Sequence, residues 1–213
     1  MKTQEWFRRQ TWSATDEAEF ETKLARARGQ RSQYLHIQAL TLAETEDPAL
    51  ADPAIALANR QLQEDPEGVF RTQVLCTIAR ASASTADVAG AVDAYRRAAK
   101  AEEEGGVRCC AYLQFAWFAV NRNLTELYKE VLSIMDSSMK DSDLVFPAAQ
   151  YKYFGALALI SEELGDSENA GRMARNALEA AVKRRSPFDR HPSVGLVENT
   201  DTAIHREIER LAG

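Results

Sequence analysis

The most regular alternation of apolar and polar positions lies in residues 151–185. Phe154, Leu157, Ala158, Ser161 and Leu164 recur at helical spacing and place a small-to-medium apolar stripe on one face. Gly165-Asp166 breaks that helix, and Asp166 or Ser167 can accept from the exposed amides that open the next one. In the second helix Ala170, Met173, Ala174, Ala177, Leu178 and Ala181 form one continuous face. Asp166 and Glu168 stand at its start and Lys183, Arg184 and Arg185 at its end, matching the helix dipole at both termini. The pattern predicts an antiparallel helix pair with small residues at the crossing.

The same rhythm runs through the rest of the chain. Ser13 or Thr15 caps a first helix over 16–28, with Phe20 and Leu24 inward. A second, over 30–45, carries Tyr34, Leu35, Ile37, Leu40 and Leu42 on more than one side, as a helix packed between neighbours does. Arg26, Arg28 and Arg31 surround the turn between the two and read as solvated cations near a helix end. A third helix over 51–64 stops at Asp65-Pro66, and a fourth spans 68–83. Ser84 with Asp87 resembles a capping box opening a fifth, which shows Val88, Ala91, Val92, Tyr95, Ala98 and Ala99. Glu102-Glu103-Glu104 reads as a frayed, solvated end. A sixth helix over 107–120 is the most aromatic, a seventh spans 124–139, and an eighth starts or bends at Pro147. Residues 186–199 are too rich in Pro and Gly to be regular. A last short helix, 200–211, docks through Ile204, Ile208 and Leu211. Ahead of all this, Trp6, Phe7 and Trp12 alternate with Arg8 and Arg9. That segment is expected to fold back as a cap; the alternative is an exposed patch in which Trp6 and Arg8 meet a partner.

Superposing the pairs exposes a period. Ala54, Ala91, Tyr128 and Ala170 take the same place in four successive second helices, at spacings of 37, 37 and 42 residues. Each is followed four residues later by Ala58, Tyr95, Leu132 and Ala174. Two-helix units of this length are solenoid repeats, each burying its apolar face on the next. Ala91, Tyr95 and Ala98, the group Gly165, Ala170, Ala174 and Ala177, and Pro66 twelve residues after Ala54 resemble the tetratricopeptide repeat family. The family's first-helix Trp and its Leu-Gly pair are absent, and the spacing exceeds its roughly 34 residues. The chain is also similar to uncharacterised bacterial repeat proteins that carry an N-terminal Trp-Phe-Arg and a late His-Pro.

The fold expected is therefore all-α, a right-handed array of antiparallel helix pairs with about ten helices. Residues 1–213 form one domain: 1–29 cap the N-terminus, 30–185 hold four repeats, and 186–213 supply a loop and a capping helix. The resemblance implies a concave groove lined by first helices, in which a peptide or partner protein lies. The family's groove positions fall on Gln73, Arg80, Trp117 and Lys152, with His36 nearer the end; the alternative for Trp117, among its aromatic neighbours, is a core position between repeats.

Composition narrows the function classes. The apolar fraction of 45% and charged fraction of 27% are those of an ordinary globular protein. A formal net charge of −6 argues against sequence-independent nucleic-acid binding, which needs excess cations to displace phosphate counterions. No window reaches the roughly 18 apolar residues of a membrane span, and the start, MKTQEWFRRQTW, holds no signal-type apolar run. With three cysteines at no zinc spacing, a reduced, cytoplasmic setting is expected.

Signature motifs of zinc peptidases, phosphate-binding loops, serine hydrolases and dinucleotide folds are absent. His36, His191 and His205 lie far apart, so no metal and no cofactor are expected. Cys109-Cys110, near a helix start where a thiol can acidify, read rather as buried packing. Asp189-Arg190-His191 reads as a structural tie between the late loop and the last repeat. The expectation is a non-catalytic protein-interaction module, with a homodimer left open. The alternatives are an immunity or antitoxin-type protein that blocks a toxin with its acidic surface, and a small hydrolase or thiol enzyme using 186–199.

Overall fold

A computed structural model describes residues 5–213; the first four residues of the N-terminal segment lie outside the described part. Among the described residues the chain is all-α, with ten α-helices, three short 3-10 turns and no strand. It divides into two compact units, Met1–Ala111 and Tyr112–Gly213.

The first unit holds α1 (Ala14–Leu24), α2 (Arg31–Ala43), α3 (Ala51–Glu64), α4 (Arg71–Ser84) and α5 (Val88–Glu103), with α2–α3, α3–α4 and α4–α5 packed as neighbours. Ser13, not Thr15, opens α1: its hydroxyl accepts from the Asp16 amide, and the Asp16 carboxylate accepts from the Ser13 amide at 2.9 Å. The opening of α5 differs from the sequence expectation. Ser84 is still inside α4 and donates its hydroxyl to the Ala81 carbonyl at 2.8 Å. Ala86, at φ +63, makes the turn, and Asp87 itself accepts from the Gly90 amide. Ala54, Ala58, Ala91 and Ala98 are fully buried, so backbones approach closely at the crossings. Arg31 is no solvated turn residue: it donates to both carboxylate oxygens of Glu64 at 2.6 and 3.0 Å. Arg60 reaches the same Glu64 at 2.9 Å and Glu21 at 3.2 Å, so one ion network ties α1, α2 and α3.

The N-terminal aromatics lie on this unit. Trp6 sits 4.8 Å from the Tyr34 ring and 5.4 Å from Phe20, and Trp12 meets Phe20 edge to face at 5.4 Å. Gln38, fully buried in α2, donates to the Arg9 carbonyl at 2.8 Å and accepts from the Arg9 amide at 3.0 Å.

The second unit takes in all but the first residue of α6 (Ala111–Asn121), together with α7 (Tyr128–Ser138), α8 (Pro147–Glu163), α9 (Ser167–Ala181) and α10 (Ala203–Ala212). Pro147 is the first residue of α8, where its missing amide costs nothing. Gly165, at φ +84, turns the chain into α9, and the Asp166 side chain caps it from the Asn169 amide. Ala170, Ala174 and Ala177 are fully buried, the last two in a cluster with residues of α8 and α10. Leu164, read as part of the inner stripe, is 46% exposed, because it follows the last turn of α8. In its place Gly155, Ala156 and Ile160 are buried, so α8 is covered on more than one side. Ile208 of α10 is fully buried against this pair.

Glu102 overturns the reading of an acidic, frayed helix end. It is buried, and its carboxylate accepts from the amides of Cys109, Cys110 and Ala111 at 2.6, 2.9 and 2.7 Å. These amides open α6, so the last turn of α5 supplies the cap and the counter-charge for the next helix. No helix among the described residues is long and apolar enough to cross a membrane.

Candidate functional site

The second unit contains a cleft of about 310 Å³ between α6, α8 and the segment leading into α10. Trp117 and Asn121 come from α6, Tyr151 and Lys152 from α8, and Leu196, Val197 and Ile204 close the far wall. Trp117 is half-buried and Lys152 exposed. Two of the residues singled out from the sequence therefore share one cavity.

The position of Trp117 follows from what it rests on. Gly155 has no side chain, and an added Cβ would lie 3.3 Å from the indole Cζ3 and 2.8 Å from Ile208 Cδ1. The indole thus presses its edge against bare helix backbone. Tyr151 meets it edge to face, with centroids 5.5 Å apart. Tyr151 is itself fixed by a hydrogen bond between its hydroxyl and His205 Nδ1 at 3.0 Å. Burial, with the Glu209 charge adding, pushes the Tyr151 hydroxyl up to about 12, so it stays a neutral donor. Glu209 Oε1 lies 3.7 Å from His205 Nε2, on the other side of the ring. Asn121 donates its side-chain amide to the Trp117 carbonyl at 2.7 Å, at the end of α6. Trp117 is both a packing residue and a wall of the cleft.

The far wall was illegible in the sequence, because 196–199 has no helical period. It is held by the backbone: the Ala148 amide donates to the Gly195 carbonyl at 2.8 Å, at the first turn of α8. Gly195 sits at φ +73 hard against Phe146, and Phe146 packs on Phe188 at 5.3 Å. These contacts, and not the exposed side chains of Asp189, Arg190 and His191, tie the late loop to the helices.

The remaining candidates lie in the first unit. His36 is buried, stacked on Phe70 at 5.0 Å, with no hydrogen-bond partner for Nδ1. Burial lowers its pKa to about 4, so it is neutral at physiological pH. Gln73 lies one turn beyond Phe70 on α4, and its Oε1 is enclosed without a partner. Arg80 is half-buried and stands 3.8 Å from Glu44 of the first helix pair. Trp6 is packed as described above, and Arg8 is exposed, bonded to Glu5 at 2.8 Å and lying over the Phe7 ring. Among the described residues no three His, Cys, Asp or Glu side chains converge as metal ligands would.

A second cleft in the second unit, of about 440 Å³, is lined by Tyr128, Leu159, Glu162, Glu163 and Glu207. Arg210 pairs with Glu207 at 2.7 Å and Glu162 at 3.5 Å and offsets part of that charge.

No family model, curated protein or solved structure matches this chain.

Proposed function

We propose that the protein is a non-catalytic, tetratricopeptide-like interaction module that takes a segment of a partner protein on its first helices. The observation that carries this reading is Trp117. Its indole is held from behind by Gly155 and Tyr151 while its remaining surface lines an open cleft beside Lys152. A large aromatic fixed before binding loses little freedom on contact, and such residues dominate interface energies. The burial of Ala54, Ala91, Tyr128 and Ala170 supports the repeat reading, since they recur at one place in four successive pairs.

The cleft suits one apolar side chain of the partner, with Asn121 and Asn199 at its edge to meet backbone groups. The experiment begins with recovery of the native partner and mapping of the bound segment to a peptide. Trp117→Ala then weakens that peptide by about 2 kcal/mol or more, roughly thirtyfold. Because Trp117 also packs, Lys152→Glu serves as the variant that leaves the fold intact; it slows association and alters its salt dependence. Full affinity in both variants, each folded by circular dichroism, would remove the cleft from the site.

The acidic cleft around Glu162, Glu163 and Glu207 favours a second reading, an immunity-type protein that covers a basic toxin surface. Charge reversal at Glu163 separates the two: it abolishes binding in that case and leaves the Trp117-dependent peptide untouched in the first.

A further inference from the structure

Two thiols meet at the end of the first unit. Cys76 is buried on α4, and Cys109 lies half-buried in the non-helical stretch after α5, with the two sulfurs 3.8 Å apart. The approach is built by the chain around it. Thr72 and Cys76 are one turn apart on the same edge of α4. Gly106 lies so close to Thr72 that a Cβ there would come within 2.4 Å of the threonine hydroxyl and 2.6 Å of the Ala101 carbonyl. The Gly106 amide also donates to that carbonyl at 2.9 Å. The stretch thus lies directly against α4 at Thr72, and three residues later it brings Cys109 to Cys76. Glu102 holds the amides of Cys109 and Cys110 from the other side.

We propose that Cys76 and Cys109 are a modification site, a dithiol that low-molecular-weight disulfides of the glutathione class convert to an intrachain disulfide. Cys109, the less buried of the two, attacks one sulfur of the oxidant as its thiolate. The oxidant's sulfur–sulfur bond breaks, one small thiol leaves, and a mixed disulfide forms at Cys109. Cys76 then gives up its proton, its sulfur attacks Cys109 Sγ, and the second small thiol leaves. Two protein thiols are oxidised and one small disulfide is reduced to two thiols. The sulfurs close from 3.8 Å to about 2 Å when the bond forms.

The contact with Cys109, burial and the Glu102 charge all hold the Cys76 thiol well above its ordinary pKa, while the Arg80 charge works the other way.

The test uses the full chain, reduced and then equilibrated with graded ratios of oxidised to reduced glutathione. Free-thiol titration, intact mass and peptide mapping are read together. The expected product loses two of its three thiols and two hydrogens of mass, and its linked peptides join residues 76 and 109. Cys110→Ser gives the same product, whereas Cys76→Ser stops at a mixed disulfide on Cys109. Gly106→Ala, which pushes the stretch off Thr72, slows closure. Three free thiols at ratios that oxidise a model dithiol, a 109–110 link, an intermolecular link, or a wild-type reaction that halts at the mixed disulfide would each overturn the proposal. The wild-type peptide map decides even where a serine variant fails to fold.

Discussion

Single residues decide how much this chain tolerates. Ala174 has no exposed surface and lies where α9 crosses its neighbours, so Ala174→Glu buries a charge with neither partner nor room. A loss on the order of 4 kcal/mol is expected, and an unchanged thermal midpoint by circular dichroism would place Ala174 on the surface instead. His36 sets a pH dependence. Its folded pKa is lowered to about 4 from an ordinary 6.5, so below 6.5 the unfolded chain takes up a proton that the native one refuses. Its contribution is complete above pH 6.5, declines as pH falls toward 4, and levels off below that. The span is worth about 3 kcal/mol at most. Urea midpoints from pH 7 to 4 check this: His36→Gln should flatten the slope, and an identical slope in both proteins would assign the titration elsewhere.

Helices were the legible elements. The 3.6-residue period and its punctuation place α3 at Ala51–Glu64, as the pattern over 51–64 predicts, and put the start of α8 at Pro147. The misses have physical reasons. The fourth helix begins at Arg71 and not at 68, because a turn follows Asp65, with the Gly68 amide on the Asp65 carbonyl and the Arg71 amide on the Gly68 carbonyl. Glu102 looks solvated in a run of three glutamates; only the return of the chain at Cys109–Ala111 buries it. Trp117 stands at the border of its helix's apolar face, where periodicity does not separate core from cleft, and the cleft's far wall has no period at all. An element-scale prediction follows from the shared cap. Glu102→Gln leaves one acceptor oxygen for three amides, at a cost of about 1–3 kcal/mol. Hydrogen exchange should quicken first at Cys109–Tyr112, the opening of α6; uniform exchange across the chain would mean that the cap is not local to that helix.

At the scale of the molecule the division into two units bears on how damage spreads. Each unit has its own buried set, Phe20, Leu35, Leu42 and Leu75 in the first and Tyr151, Ile160, Met173 and Ile208 in the second. Ala174→Glu should therefore erase amide protection in α8–α10 while α2–α4 retain theirs. Equal loss in both would show one cooperative whole. The overall acidity, −6, belongs to this scale as well. A like charge on every copy adds a repulsion between them that salt screens.

The bond pair between Gln38 and Arg9 carries a consequence for how the polypeptide can be cut and fused. A side-chain amide reads the backbone of residue 9 as one strand reads another, giving and accepting at once. Any version of the protein that begins after Arg9 leaves that amide sealed inside α2 with neither bond made. Cutting the chain past Arg9 removes both bonds at once and leaves a buried polar group for the fold to carry.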